Sequence, residues 1–91
     1  MLKFEWDEVK AAANAKKHSV TFEEAASVFG DPLALTFEDP DHSCGENRFL
    51  TFGVAQSGQL LVVIHAERKG SLRIIGARAA TRHERKTYER G

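Results

Sequence analysis

A single cysteine, Cys44, excludes any internal disulfide and makes a reducing cytosol the simplest setting for the chain. No apolar run approaches the roughly 20 residues a membrane span needs; the longest is Leu60 to Ile64. The start, Met-Leu-Lys-Phe-Glu-Trp-Asp, turns acidic at once and lacks an apolar stretch, so no secretory signal is expected. Neither HExxH nor CxxC spacing occurs, and His18, His42, His65 and His83 are scattered. No metal or other cofactor is therefore expected, although His42 lies near Asp39 and Asp41. The glycines are dispersed, so no phosphate-cradling loop is present. Cys44 has no cationic neighbour except His42 to activate it as a nucleophile. Net charge is also missing: 13 Lys and Arg balance 13 Asp and Glu.

What is present is ordinary globular material, 42% hydrophobic and 29% charged, with no repeat, linker or low-complexity tract. A chain of 91 residues has room for one domain, taken as 1–91. The neutral total hides a split. Through His65 the cations are Lys3, Lys10, Lys16, Lys17 and Arg48, against ten acids; from Ala66 on, eight cations face three acids. A bipolar molecule with one anion-seeking region follows.

Hydrophobic periodicity gives an α+β domain. Leu2–Trp6 reads as a short edge strand. Asp7 caps a helix from Glu8 to Lys17, with Val9, Ala12 and Ala13 as its apolar stripe. Thr21 and Glu24 form a capping box for a second helix whose face is Phe22, Ala25, Ala26 and Phe29, ending at Gly30. Strands follow at Leu33–Phe37, Arg48–Val54, Leu60–Ala66 and Leu72–Ala77, separated by a polar loop from Glu38 to Glu46 and tight turns at Gln56-Ser57-Gly58 and Arg68-Lys69-Gly70. Thr81 and Glu84 form a second capping box opening a C-terminal helix with a poor apolar face. The expected architecture is two N-terminal helices, a four-stranded mainly antiparallel sheet and a C-terminal helix, with the helices on one face and the other face open.

The stretch from Leu72 to Arg90 carries Arg73, Arg78, Arg82, Arg85, Lys86 and Arg90 against Glu84 and Glu89. Arginines bind phosphate bidentately and hold their charge at any working pH. For Arg82, Arg85, Lys86 and Arg90 a solvated helix face is an equal alternative. Arg73 and Arg78 belong to a strand and its exit. Their parity differs, so they share a face only if a bulge intervenes or Arg78 lies beyond the sheet. His65 reads either as a proton-transfer group or, more often for a histidine in so apolar a strand, as a hydrogen-bonded core residue. Lys17-His18 reads either as an acid–base group with a phosphate cation or as a cationic helix end complementing the dipole.

The ordered set Phe4-Glu5-Trp6-Asp7, Lys17-His18 with Val20, Phe22-Glu23-Glu24-Ala25, Val28-Phe29 with Asp31-Pro32, Arg48-Phe49, Leu61–His65, Arg73-Ile74-Ile75 with Ala77-Arg78, and Arg82-His83-Glu84-Arg85 with Tyr88 resembles the BrnT family, toxins of bacterial type II toxin–antitoxin pairs. Gly76 departs from it, since the family often has serine there. The resemblance implies a RelE-like fold and a cytoplasmic ribonuclease that stops translation. It also implies a ribbon-helix-helix antitoxin of the BrnA type, joined as an antitoxin dimer in a heterotetramer, with operator DNA reached only through the antitoxin and no membrane partner. By position it points to Lys17, His18, His65, Arg73 and Arg78 as catalytic candidates. Arg48, with Arg82, Arg85 and Lys86, would bind RNA.

Such an enzyme needs no metal. RNA carries its own nucleophile, the 2′-hydroxyl, and the protein has only to move protons and stabilise the charged phosphorane. The competing expectation is a non-enzymatic module whose basic cluster docks a protein partner within a DNA-binding repressor complex.

Overall fold

The computed structural model describes residues 2–39 and 47–91. Most of the polar loop expected between Glu38 and Glu46, with His42 and Cys44, lies outside the described residues. In chain order the elements are β1 (Phe4–Glu5), α1 (Glu8–His18), α2 (Phe22–Ser27) with a 3₁₀ turn (Val28–Gly30), β2 (Leu35–Glu38), β3 (Arg48–Val54), β4 (Leu60–Arg68), β5 (Ser71–Ala79) and α3 (Arg82–Arg90).

The strands form one sheet in the order β1-β5-β4-β3-β2. β2 to β5 are an antiparallel meander, and the turns before β4 and β5 place Gly58 and Gly70 at φ 89° and 78°, where a Cβ would be strained. The expected four-stranded sheet is corrected here to five strands. Phe4 and Glu5 pair with Leu72 and Arg73 in parallel, which makes the sheet mixed. The edge strand expected within Leu2–Trp6 is this β1, two residues long; what holds it is the last strand's open edge, where Leu72 N–H donates to the Lys3 carbonyl at 2.8 Å.

Pairing register sorts the side chains to two faces. Leu61, Val63 and His65 of β4 share the first face with Thr51, Leu72, Ile74 and Ala77, and there the buried cluster also takes Val20, Phe22, Ala25 and Val28. The α2 periodicity expected from Phe22 onward supplies that layer, although the helix tightens to a 3₁₀ turn at Val28. Thr21 caps α2 by accepting from Glu24 N–H at 3.0 Å, but the Glu24 carboxylate turns to the Ser57 hydroxyl rather than back to the cap.

α1 differs from its expected face. Val9 is 79% exposed and Ala12 and Ala13 are exposed too, while Ala11, Asn14 and Ala15 turn inward. The reason is the edge of β5 beyond the short β1. The Asn14 carboxamide accepts from Ala77 N–H at 3.1 Å and donates to the Ala77 carbonyl at 2.9 Å, taking the place of a missing strand. Its amide also donates to the Val20 carbonyl at 2.9 Å.

The second face is not left open, as the expectation had it. Val62 and Phe52 point there and are buried, and α3 lies against β3 on that side. α3 has little apolar surface, so polar contacts fix its ends. At the start, Thr81 and Glu84 form the complete capping box that the sequence announced. At the end, Tyr88 donates its hydroxyl proton to Asp31 Oδ2 at 2.6 Å, and the same oxygen accepts from Val54 N–H at 2.8 Å. The Tyr88 hydrogen bond, together with the Val54 and Leu33 amides, holds the Asp31 carboxyl below its ordinary pKa.

Candidate active site

A β-bulge arranges the site. Ile64 pairs with Gly76 but His65 pairs with Ile74, so Ile75 is an extra residue on β5. Across it, Arg73 pairs with Ala66 and Arg78 pairs with Val62. Ala66 and Val62 are an even number of residues apart on β4, so both arginines leave the same side of the sheet, the second face. Without the bulge one would point into the α1–α2 core. Arg48 pairs with Ala66 from the other side, so Arg73 and Arg48 flank that alanine on the same face. Two strand spacings place their backbones about 10 Å apart.

Both strand arginines are held by carboxylates. Arg73 Nη1 donates to Glu5 Oε2 at 3.0 Å, and Ser71 donates to the other Glu5 oxygen at 2.7 Å. The Ser71 hydrogen bond, then Arg73 and Arg68, keep Glu5 below its ordinary pKa. Arg78 grips Glu84 in two parallel bonds, Nη1 to Oε1 at 2.7 Å and Nη2 to Oε2 at 2.9 Å. That fork, aided by the Thr81 amide, lowers the Glu84 pKa to about 2, and Glu84 in turn raises that of Arg78. Each guanidinium keeps unused N–H groups, because it offers five donors. Arg48 is exposed and forms no side-chain ion pair among the described residues.

The other candidates fall in different places. His65 is 2% exposed and faces the core. Phe29 meets its ring edge-on at 5.0 Å, Phe49 stacks at 5.8 Å, and Nε2 bonds the Thr51 hydroxyl at 2.7 Å. Burial lowers its pKa to about 4, so it is neutral near pH 7, on the opposite side of the sheet from the arginines. Lys17 and His18 are exposed at the last turn of α1, which ends with Ser19 in the left-handed region at φ 59°. From β1 beside Leu72 to Asn14 beside Ala77, the chain advances along β5; its next turn carries Lys17 and His18 toward the Arg78 end. Arg82, Arg85 and Lys86 are exposed on α3. The register puts Arg48, Arg73 and Arg78 on one face, with Arg78 about 13 Å along the sheet from the other two, and puts His65 on the opposite face. Among the described residues, no three His, Cys, Asp or Glu side chains converge as a metal site would require.

The family model described as the ribonuclease toxin BrnT of type II toxin–antitoxin systems matches residues 6–84. The chain belongs to the BrnT family. Among solved structures, the Brucella abortus ribonuclease toxin BrnT superposes with a TM-score of 0.68 at 22% identity, over 90% of this chain and 100% of that one. Curated proteins give no match.

In this BrnT chain several residues of the second face were not singled out by sequence. Glu5 belongs to a two-residue strand whose register only the fold supplies. Glu84 was read as a cap, and the spacing to Arg78 crosses a strand exit, so no helical or strand period signals their pairing. His83 and Thr87 line a groove between α3 and the sheet, opposite Phe37, Leu50 and Phe52. The alternation of Leu35 and Phe37 was the available signal for a sheet face, but not for what lies across from it.

Proposed function

We propose that this chain is a metal-independent endoribonuclease acting in the cytoplasm, and that its second sheet face holds the scissile phosphate. The observation that carries the reading is the Ile75 bulge, which aligns Arg73 and Arg78 with Arg48 on one face. Arg48 and the unused donors of Arg73 bind the phosphate and stabilise charge on the phosphorane. A base removes the 2′-hydroxyl proton, O2′ attacks phosphorus, the P–O5′ bond breaks, and the 5′ oxygen takes a proton. The products are a 2′,3′-cyclic phosphate and a 5′-hydroxyl. His83, in the groove, is the group offered for proton transfer near the scissile phosphate; Lys17 and His18, toward the Arg78 end about 13 Å along β4, would reach a neighbouring nucleotide instead. His65 is left out, since it is neutral and sealed from solvent. Arg82, Arg85 and Lys86 hold flanking phosphates.

Cleavage of messenger RNA would stop translation, and a BrnA-type ribbon-helix-helix antitoxin would neutralise the toxin by covering this face. Operator DNA would be reached only through that antitoxin. The test is cleavage of single-stranded RNA in EDTA by the wild type and by Arg48→Ala and Arg73→Ala. Each substitution should lower the rate at least about tenfold. Undiminished cleavage by both variants, or loss of wild-type activity to EDTA, removes the mechanism. Arg48→Ala is the cleaner variant, because Arg73→Ala also removes the ion pair with Glu5.

A second reading is a non-enzymatic docking module. What favours it is that Glu5 and Glu84 already neutralise two of the three arginines. It predicts tight antitoxin binding with no growth arrest when the chain is expressed alone. Growth arrest with falling translation removes it.

A further inference from the structure

Of the exposed large apolar residues among those described, Leu2, Val9, Leu33 and Phe37, Phe37 lines a groove with a second aromatic ring. The groove runs between α3 and the β2–β3 part of the second face and encloses about 360 Å³. Its floor is Phe37, Leu50 and Phe52, with the Phe37 and Phe52 rings 5.2 Å apart and tilted. Its helix wall is His83 and Thr87, and past Thr87 it continues to Arg90. Phe37 keeps 42% of its surface exposed, so part of its ring is open to a ligand in the groove.

The surroundings say what would cover it. Glu84 is committed to Arg78, so the groove's own acid is spent, and Glu38 is the other one on its lining. Leu50 on the floor stands two residues from Arg48 on the same face of β3, and Arg48 flanks Ala66 with Arg73. An apolar aromatic slot thus opens two residues along β3 from Arg48, which faces Arg73 across Ala66. Flat π-surface next to backbone-binding cations is the combination that accepts unpaired nucleotides.

Resting on the ribonuclease reading above, we propose that the groove is a nucleobase slot: an unpaired base of single-stranded RNA stacks on Phe37 between the sheet and α3, while its phosphate lies on Arg48. The substrate class is therefore single-stranded RNA. A base held in a duplex cannot enter, because its faces are already stacked.

The experiment measures binding of the full chain to 2′-O-methyl oligonucleotides, which cannot be cleaved, as four single-stranded homopolymers and one duplex. Base–aromatic stacking predicts that Phe37→Ala weakens single-strand binding by about 5- to 100-fold. Phe37→Leu, which keeps apolar bulk but no ring, should weaken it similarly, and Phe37→Trp should retain it. The duplex should bind more weakly than the preferred single strand and be insensitive to Phe37. Wild-type affinity in both Phe37→Ala and Phe37→Leu overturns the slot while leaving the ribonuclease reading intact. Absence of any single-strand binding by the wild type overturns both. A Phe37→Ala variant that binds RNA normally but no longer associates with the antitoxin also overturns the proposal, and assigns the groove to the protein partner.

Discussion

Replacing Glu84 with glutamine separates the charge of the Arg78 pair from the helix cap, because glutamine at this capping-box position can still reach the Thr81 amide. A carboxyl at about 2 in the fold, against an ordinary 4.5, sets a ceiling of roughly 3.5 kcal/mol at about 1.4 kcal/mol per pH unit. The Glu84 side chain is 16% exposed, but that of Arg78 is 35% exposed, so solvent screening reduces the expected loss to about 1–2 kcal/mol. The carboxyl's folded pKa is depressed. Its stabilisation is therefore full above about 4.5 and disappears as pH falls through about 2. Urea unfolding followed by fluorescence of Trp6, which packs edge-on against Phe22 at 5.9 Å, measures it. Glu84→Gln should be less stable than the wild type at pH 7, and the gap should close between pH 4.5 and pH 2. A gap that is absent at pH 7, or that stays constant down to pH 2, would refute the account of how α3 is held.

Other expectations follow from contacts of the same kind. A Cβ at Gly53 would sit 2.7 Å from Val28 Cγ1 in the core, so Gly53→Ala should cost about 1–3 kcal/mol in chemical denaturation. At Gly76 the nearest atoms are 3.6 Å and 3.7 Å away, so Gly76→Ala should be tolerated, within about 1 kcal/mol of the wild type or slightly above it. Asn14→Ala leaves both backbone groups of Ala77 and the Val20 carbonyl without their partner. It should cost about 1–3 kcal/mol and speed hydrogen exchange at Ala77. His65 has a folded pKa lowered to about 4, so the unfolded chain binds its proton first, and stability should fall as pH drops from about 6.5 to 4. His65→Gln should flatten that slope in pH-dependent thermal melts.

How far the sequence could be read depended on whether a signal was local. The α2 stripe, the capping box of α3 and the glycine turns at Gly58 and Gly70 declare themselves within a few residues, and they stand where expected. β1 shows in the sequence only as an edge strand within Leu2–Trp6; its pairing with a strand some 68 positions later, which makes it the sheet's fifth strand, carries no local pattern. The inward face of α1 was misread for a related reason: its anchor is a polar side chain completing a sheet edge, and an apolar stripe cannot announce that. Sequence parity stated the conditions for Arg73 and Arg78 to share a face, a bulge or a position of Arg78 beyond the sheet, but the extra residue at Ile75 is visible only in the register with β4. The Glu5 partner of Arg73 and the groove opposite Phe37 arise from elements distant in sequence, and the Glu84 partner of Arg78 lies across a strand exit that follows neither helical nor strand period.

The proposed mechanism has the bulge-aligned arginine face cleave RNA without a metal. The most direct measurement is the rate of single-stranded RNA cleavage in EDTA by the wild type and by Arg48→Ala, the arginine with no ion pair to lose among the described residues. The account predicts EDTA-resistant cleavage leaving 2′,3′-cyclic phosphate ends, slowed at least about tenfold by the substitution. Wild-type cleavage that EDTA abolishes, or an Arg48→Ala rate equal to the wild type's, would contradict it.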